Sequence, residues 1–192
     1  MPKYKNPRLT EWKTRGTMSF MKYQEFKALW ATIKGDKNKH LLTFLYFTGA
    51  RPGELPLVKR SDIVLEGKKL IVNIPTLKRK GDQKVRAIEL PLDIAEVKAW
   101  WGYIQTLPDL FYIFGWLAPP VEARHYIKNH LGVPGYFFRH NIFSIMSMAG
   151  ASRELIKEMK GAQNMASVEP YIHLSAQERA KMSRYIRKGI RG

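Results

Sequence analysis

Two arginines and a basic turn between them carry the side chains suited to gripping phosphate. Arg51 lies in LYFTGARPGELPL, residues 45–57, where an apolar helical run (Leu41, Leu42, Phe44, Leu45, Tyr46, Phe47) halts at Thr48-Gly49. Arg51-Pro52-Gly53-Glu54 turns the corner, and a second apolar stretch opens at Leu55. Gly49 suits the position after a helix C-terminus, and Pro52 suits the first turn of the next helix. An arginine in so tight a corner is held in place with its planar fork free for an anion, and Glu54 is placed to orient that fork. The segment reads equally as a plain corner between helices with a solvated arginine. Arg139 lies in PGYFFRHNIFSIMSMAGAS, residues 134–152, near the start of a helix. The expected buried face of that helix is Phe138, Ile142, Ile145, Met146 and Ala149, and a helix N-terminus favours anions. Between the two arginines stands the run Lys78-Arg79-Lys80-Gly81-Asp82, followed by Lys84 and Arg86.

The elements that must position these groups follow from periodicity. Residues 1–17 are basic and poorly patterned, and a helix starting after Thr17 or Ser19 carries Phe20, Tyr23, Phe26, Leu29, Trp30 and Ile33 at helical spacing. Gly35-Asp36 breaks it, and residues 38–48 form the helix that leads into Arg51. The pattern then switches to period two: a strand over 62–65, a turn at Glu66-Gly67-Lys68, a second strand through Leu70, Val72 and Ile74, and a third over 85–90. Pro91 ends it. Helices follow at about 93–106, 121–131, 136–149, 152–160, 163–169 and 175–188, punctuated by Pro108, Pro119-Pro120, Pro134, Gly150 and Gly161. The aromatic pairs Trp100-Trp101 and Phe111-Tyr112 are expected to pack inside. The class is therefore α+β, mainly helical with a small three-stranded antiparallel sheet.

Composition narrows the chemistry. The chain has 192 residues, 45% hydrophobic, enough for one domain with a proper core. Thirty-three Lys and Arg against 16 Asp and Glu give a formal charge of +17, which calls for an anionic partner, and nucleic acid is the default. Cysteine is absent, which removes disulfides, thiolate metal sites and cysteine nucleophiles. His40, His125, His130, His140 and His173 show no metal-binding spacing, so no metal and no cofactor are expected. No segment is long and apolar enough for a membrane span, and the N-terminus lacks a signal-peptide core, so a soluble intracellular protein is expected.

Read in order, these motifs resemble the catalytic domain of the tyrosine recombinases, the phage-integrase family of site-specific DNA recombinases. That family carries its first arginine in a TGxRxxEL corner, matched here by Thr48, Gly49, Arg51, Glu54 and Leu55. Arg139 falls on the arginine of the family's HxxR box. Met159-Lys160-Gly161 falls where a Leu-Gly-His corner ends a helix, and Tyr171 lies where the tyrosine nucleophile follows. The resemblance runs in register from about residue 19 to 175. Two positions depart from it: Tyr136 stands at the first histidine of the box, and Ala162 stands at the histidine after the glycine. Tyr136 can still donate to a phosphate oxygen; Ala162 cannot, though Gln163 and Asn164 are near in sequence. Archaeal virus and plasmid integrases with similarly altered boxes are a subgroup that the composition also suits.

The resemblance implies the DNA breaking-and-rejoining fold and its reaction. Tyr171 attacks a phosphodiester to give a 3′-phosphotyrosine and a free 5′-hydroxyl, Arg51 and Arg139 clamp the non-bridging oxygens, and a hairpin lysine protonates the leaving oxygen. Lys80, which precedes Gly81, ranks first for that lysine and Lys78 second. Arg79, Lys84 and Arg86 are expected to contact DNA, and His140 is expected to support the clamp. The implied organisation is a basic arm or linker over 1–18, the catalytic domain over 19–175, and a basic helix over 176–192 that relatives exchange between protomers. The implied partners are double-stranded attachment sites and further copies of the chain, as a tetramer on DNA, in a cytoplasmic, nucleoid-associated setting. Relatives also carry an N-terminal helical domain completing a clamp around DNA, so this stretch is expected to be part of a larger protein. Two other readings stand beside strand exchange: a DNA-binding module of the same fold with impaired catalysis, and a type IB topoisomerase-like enzyme.

Overall fold

The computed structural model describes residues 21–76 and 84–161. The expected arm over 1–18, Lys78, Arg79 and Lys80 in the hairpin turn, Ala162, Gln163, Tyr171 and His173, and the helices near 163–169 and 175–188 lie outside the described residues.

Helix α1 (Tyr23–Thr32) and helix α2 (Asp36–Thr48) form the first pair. Phe26 and Leu29 face inward from α1, and Phe26 stacks on Tyr46 of α2 at 4.2 Å between ring centroids. Every residue of α2 from Leu41 to Tyr46 is buried, as is Thr48. A helix apolar almost all round has to run through the middle of a core, and α2 packs against α1, the later helix α3 (Ala95–Ile104) and helix α5 (Phe137–Met148).

The three-stranded antiparallel sheet has the order β1 (Ile63–Glu66), β2 (Lys69–Thr76), β3 (Lys84–Pro91). Glu66 pairs with Lys69 across Gly67, whose φ of 59° suits glycine in so short a hairpin. Along β2 the side chains of Leu70, Val72, Ile74 and Thr76 are buried in strict alternation. The matching face of β3 consists of Arg86, Ile88 and Leu90, with Ile74 opposite Arg86 in the register. An arginine therefore occupies a core-facing position.

After α3 a connection with a short 3-10 turn (Gly115–Leu117) leads to α4 (Pro120–Tyr126), which runs on as a π-helical turn through Leu131. Helices α5 and α6 (Arg153–Lys160) complete the described chain. Trp100 and Trp101 are buried, but Phe111 and Tyr112 are exposed, contrary to the packing expected of them. The backbone there is tied to the segment before β1, with the Ile113 N–H bonded to the Val58 carbonyl, so Ile113 and Phe114 turn inward and Phe111 and Tyr112 outward. On α5, Phe138 faces the main core while Phe143 joins Ile156 of α6 in a second cluster. Ala149, expected in the buried face, is exposed at the helix end. Among the described residues, no helix is long and apolar enough to cross a membrane, and no group of His, Asp or Glu is arranged to hold a metal.

Gly49 ends α2 in the left-handed region, φ 57°, and a Cβ there would lie 2.5 Å from Cγ2 of Ile142 and 3.3 Å from Cα of Arg139. Gly49→Ala therefore meets both backbone strain and a close approach by α5. A loss of about 2 kcal/mol or more is expected in urea unfolding, whereas an alanine at Gly102, where nothing lies within 4 Å of the added Cβ, leaves the midpoint near or above that of the parent.

Candidate active site

The corner after α2 is closed by its own side chains. The Thr48 hydroxyl donates to the Phe44 carbonyl at 2.7 Å and accepts from the Ala50 N–H at 3.2 Å, which spends the polar groups of the last helical turn locally. Glu54 then accepts twice from Arg51, from its backbone N–H at 2.8 Å and its Nη1 at 2.6 Å, while the Glu54 N–H donates to the Arg51 carbonyl at 2.8 Å. These bonds orient the fork. The Arg51 side chain stays 30% exposed, while the Glu54 side chain is fully buried.

Arg139 reaches the same place from α5. Its Nη1 donates to the Gly49 carbonyl at 3.0 Å, its Nη2 donates to the Lys160 carbonyl, and its guanidinium lies over the Phe143 ring at 5.1 Å. Arg51 Nη2 makes a long bond, 3.4 Å, to that same Lys160 carbonyl. Two guanidinium groups, 88 residues apart in sequence (51 and 139), thus converge on one oxygen atom. Arg139 is only 4% exposed.

A third guanidinium belongs to the group. Arg86, expected as a DNA contact, is instead buried at 5% exposure. Its Nη2 bonds Glu54 Oε2 at 2.9 Å, and its Nη1 bonds the Met159 carbonyl at 2.8 Å and the Thr48 carbonyl at 3.3 Å. The pattern that buries it was in the sequence: Arg86, Ile88 and Leu90 stand at alternate positions of one strand, so all three share the core face. Its net role as a core cation was missed because a lone arginine in a basic hairpin reads as surface.

Three cations can share so small a volume because two helix ends face them. The C-termini of α2 and α6 present the carbonyls of Thr48 and Gly49 on one side and of Met159 and Lys160 on the other. A helix C-terminus carries about half a negative charge, and the Glu54 carboxylate adds a full one. Burial alone would raise the Glu54 pKa, but the charge of Arg86, the Arg51 N–H bond and the charge of Arg51 outweigh it and hold the carboxyl below the usual range. Lys160 is the residue sequence reasoning passed over. Partial burial, then the charges of Arg139 and Arg51, push its ammonium below the usual lysine value. Crowded cations of this kind stabilise an incoming anion.

The remaining expected residues fall as follows. Tyr136 stands at the N-cap position of α5 with no side-chain cap bond and is 44% exposed. Gly135, just before it, packs under Pro52 of the Arg51 corner, 3.0 Å from where its Cβ would be. His140 is exposed as a residue, yet partial desolvation of its ring, followed by the charges of Lys160 and Arg139, lowers its pKa below the usual histidine value. Lys84 opens β3 opposite Thr76. Gly161 ends α6 in the left-handed region at φ 59°, and a Cβ on it would sit 3.5 Å from Cδ of Arg86.

No protein-family model matches the chain. It is 26% identical over 163 residues to the tyrosine recombinase XerC of Bacillus licheniformis, a match covering 76% of this chain and 52% of that protein. The chain thus spans about half the length of that curated relative. Among solved structures, XerA recombinase superposes with a TM-score of 0.63 at 20% identity, covering 91% of this chain and 65% of its own. XerH bound to a palindromic difH substrate, a post-cleavage complex, gives 0.59 at 19% identity, covering 84% of this chain and 50% of its own. The Tn1549 transposon integrase with transposon right end DNA gives 0.57 at 19% identity, covering 89% of this chain and 67% of its own. The fold is that of the tyrosine recombinase catalytic domains.

Proposed function

We propose that this chain is the catalytic part of a site-specific DNA recombinase of the integrase kind, acting through a covalent tyrosine intermediate. The observation that carries the reading is the convergence of Arg51 and Arg139 on the Lys160 carbonyl oxygen. Two forks that hold a neutral carbonyl oxygen hold a charged phosphate oxygen more strongly, because charge-assisted bonds are roughly twice as strong as neutral ones. In the reaction a phenol with a reference pKa of about 10 attacks phosphorus, Tyr171 being the candidate. Negative charge then grows on the non-bridging oxygens, where fixed guanidinium groups act most effectively. The bond to the 5′-oxygen breaks as that to the phenolic oxygen forms, and Lys80 or Lys78 supplies the proton. The phosphotyrosine keeps the bond energy for rejoining, so the scheme uses no metal or nucleotide.

The net charge of +17 supports double-stranded DNA as the partner, and the relatives solved on DNA support it further. Assembly as a tetramer on paired sites belongs to the same reading, as does a nucleoid-associated setting. An archaeal virus or plasmid lineage belongs to the same reading, supported by Tyr136 and Ala162 at the altered positions and by the composition.

The test is a nicked suicide duplex carrying a candidate site. Wild-type protein is expected to leave an SDS-resistant protein–DNA adduct, and Tyr171→Phe is expected to leave none. An adduct that persists in Tyr171→Phe removes Tyr171 as nucleophile. Salt-sensitive binding without any adduct in the wild type replaces the enzyme with a binding module of the same fold. Relaxation of supercoiled plasmid without site dependence moves the assignment to a topoisomerase-like enzyme.

A further inference from the structure

We propose that Arg86 is a positioning residue that sets the Arg51 fork through Glu54 and fixes it in register with the end of α6. This rests on the recombinase reading, and it gives Arg86 a role in cleavage without a contact to DNA.

The geometry is specific. Glu54 has two carboxylate oxygens: Oε1 takes the Arg51 fork at 2.6 Å, and Oε2 takes the Arg51 N–H at 2.8 Å together with Arg86 at 2.9 Å. Without Arg86, one oxygen of a fully buried carboxylate would be balanced by a backbone N–H alone, and the fork would lose its fixed anchor. The other terminal nitrogen of Arg86 spans from Met159 at the end of α6 to Thr48 at the end of α2. Those carbonyls precede, by one or two residues, Gly161 and Gly49, where the chain leaves both helices. One side chain therefore ties three things together: the arginine corner, the end of α2 and the end of α6. From the end of α6 the chain runs ten residues to Tyr171, counting from Gly161.

Only a guanidinium performs this. Its planar fork offers two terminal nitrogens at fixed separation, whereas a lysine places one ammonium on a single flexible stem. Arg86→Lys keeps the charge that Glu54 requires but cannot serve Glu54, Thr48 and Met159 at once. That variant separates charge from geometry and is the one expected to fold. Arg86→Met combined with Glu54→Gln removes both charges together and serves as the second variant.

The experiment measures single-turnover adduct formation on the suicide duplex, and DNA affinity across salt concentrations, for wild type and Arg86→Lys. The expected result is an adduct rate lowered about tenfold to a hundredfold, with DNA affinity and its salt dependence unchanged. A rate equal to wild type overturns the proposal. So does a salt slope reduced by about one, the mark of a lost phosphate contact. If wild type forms no adduct, the recombinase reading fails by itself, and Arg86 is then judged by binding. Arg51→Ala is expected to lower the adduct rate in the wild-type background and to have little further effect on that rate in Arg86→Lys or in the double variant. Additive losses in both backgrounds overturn the positioning role.

Discussion

Glu54→Ala is expected to destabilise the fold by about 3–5 kcal/mol, the usual cost of stranding a buried charge, a large share of the stability of a domain this size. Arg86 is the charge left behind, 5% exposed and bonded otherwise only to carbonyls. Arg51 loses its anchor too, but it is 30% exposed and water takes over. Urea unfolding measures the loss, and Glu54→Gln is expected to cost less because it keeps the side chain's volume and one acceptor oxygen, its amide nitrogen standing where the second oxygen accepted. The pH dependence has a definite sign. The folded pKa of Glu54 lies below its ordinary value, so its contribution is complete above the unfolded pKa and disappears as pH falls through the folded one. The stability gap between wild type and Glu54→Ala should therefore narrow in acid. A gap that stays constant from neutral pH down through that range would mean the carboxylate charge does not support the arginines.

Arg51→Ala and Arg139→Ala are each expected to lower the rate of adduct formation by about a hundredfold to a thousandfold, as for removal of a fixed donor from a developing oxyanion. The double variant should be only slightly worse than either single one, because two forks on one phosphate act as a unit. Binding separates their roles from general electrostatics: each loss should reduce the salt slope by about 0.9, with only a modest change in affinity. The two differ in stability. Arg51 is part-exposed and its removal leaves Glu54 paired with Arg86, so its midpoint should move little. Arg139 is buried, bonded to Gly49 and Lys160, and packed over Phe143, so Arg139→Ala should also unfold earlier in urea. Rates left intact in a folded Arg51→Ala protein would remove the clamp from the mechanism.

The parts of the fold that were legible in the sequence are those where one periodicity dominates. The three strands stand within a residue or two of where alternation puts them, and the Gly67 turn joins β1 to β2. The helix ends at Gly49 and Gly161 were readable because both positions use the left-handed conformation that glycine favours. The harder features are those decided by tertiary partners. Phe111 and Tyr112 look like core residues, and only the backbone bond from Ile113 to Val58 turns them outward. Arg86 looks like surface until Glu54 and two helix ends are brought to it from 32 to 73 residues away. Local pattern carries no information about such partners, although the alternation with Ile88 and Leu90 did mark the face. Lys160 was hidden for a similar reason: its surroundings are made by Arg51 and Arg139, neither of which is its neighbour in sequence.

The bonds between the guanidinium layer and the helix ends span 21, 38, 73, 90 and 109 residues of chain. No stretch of the polypeptide assembles the layer from its own neighbours. An unfolded molecule keeps its whole formal charge of +17, and with it the attraction to anions, but it has no paired forks. On the recombinase reading proposed above, attraction to an anionic partner is a property of composition and survives unfolding, whereas the paired forks depend on these long-range contacts and are lost with them.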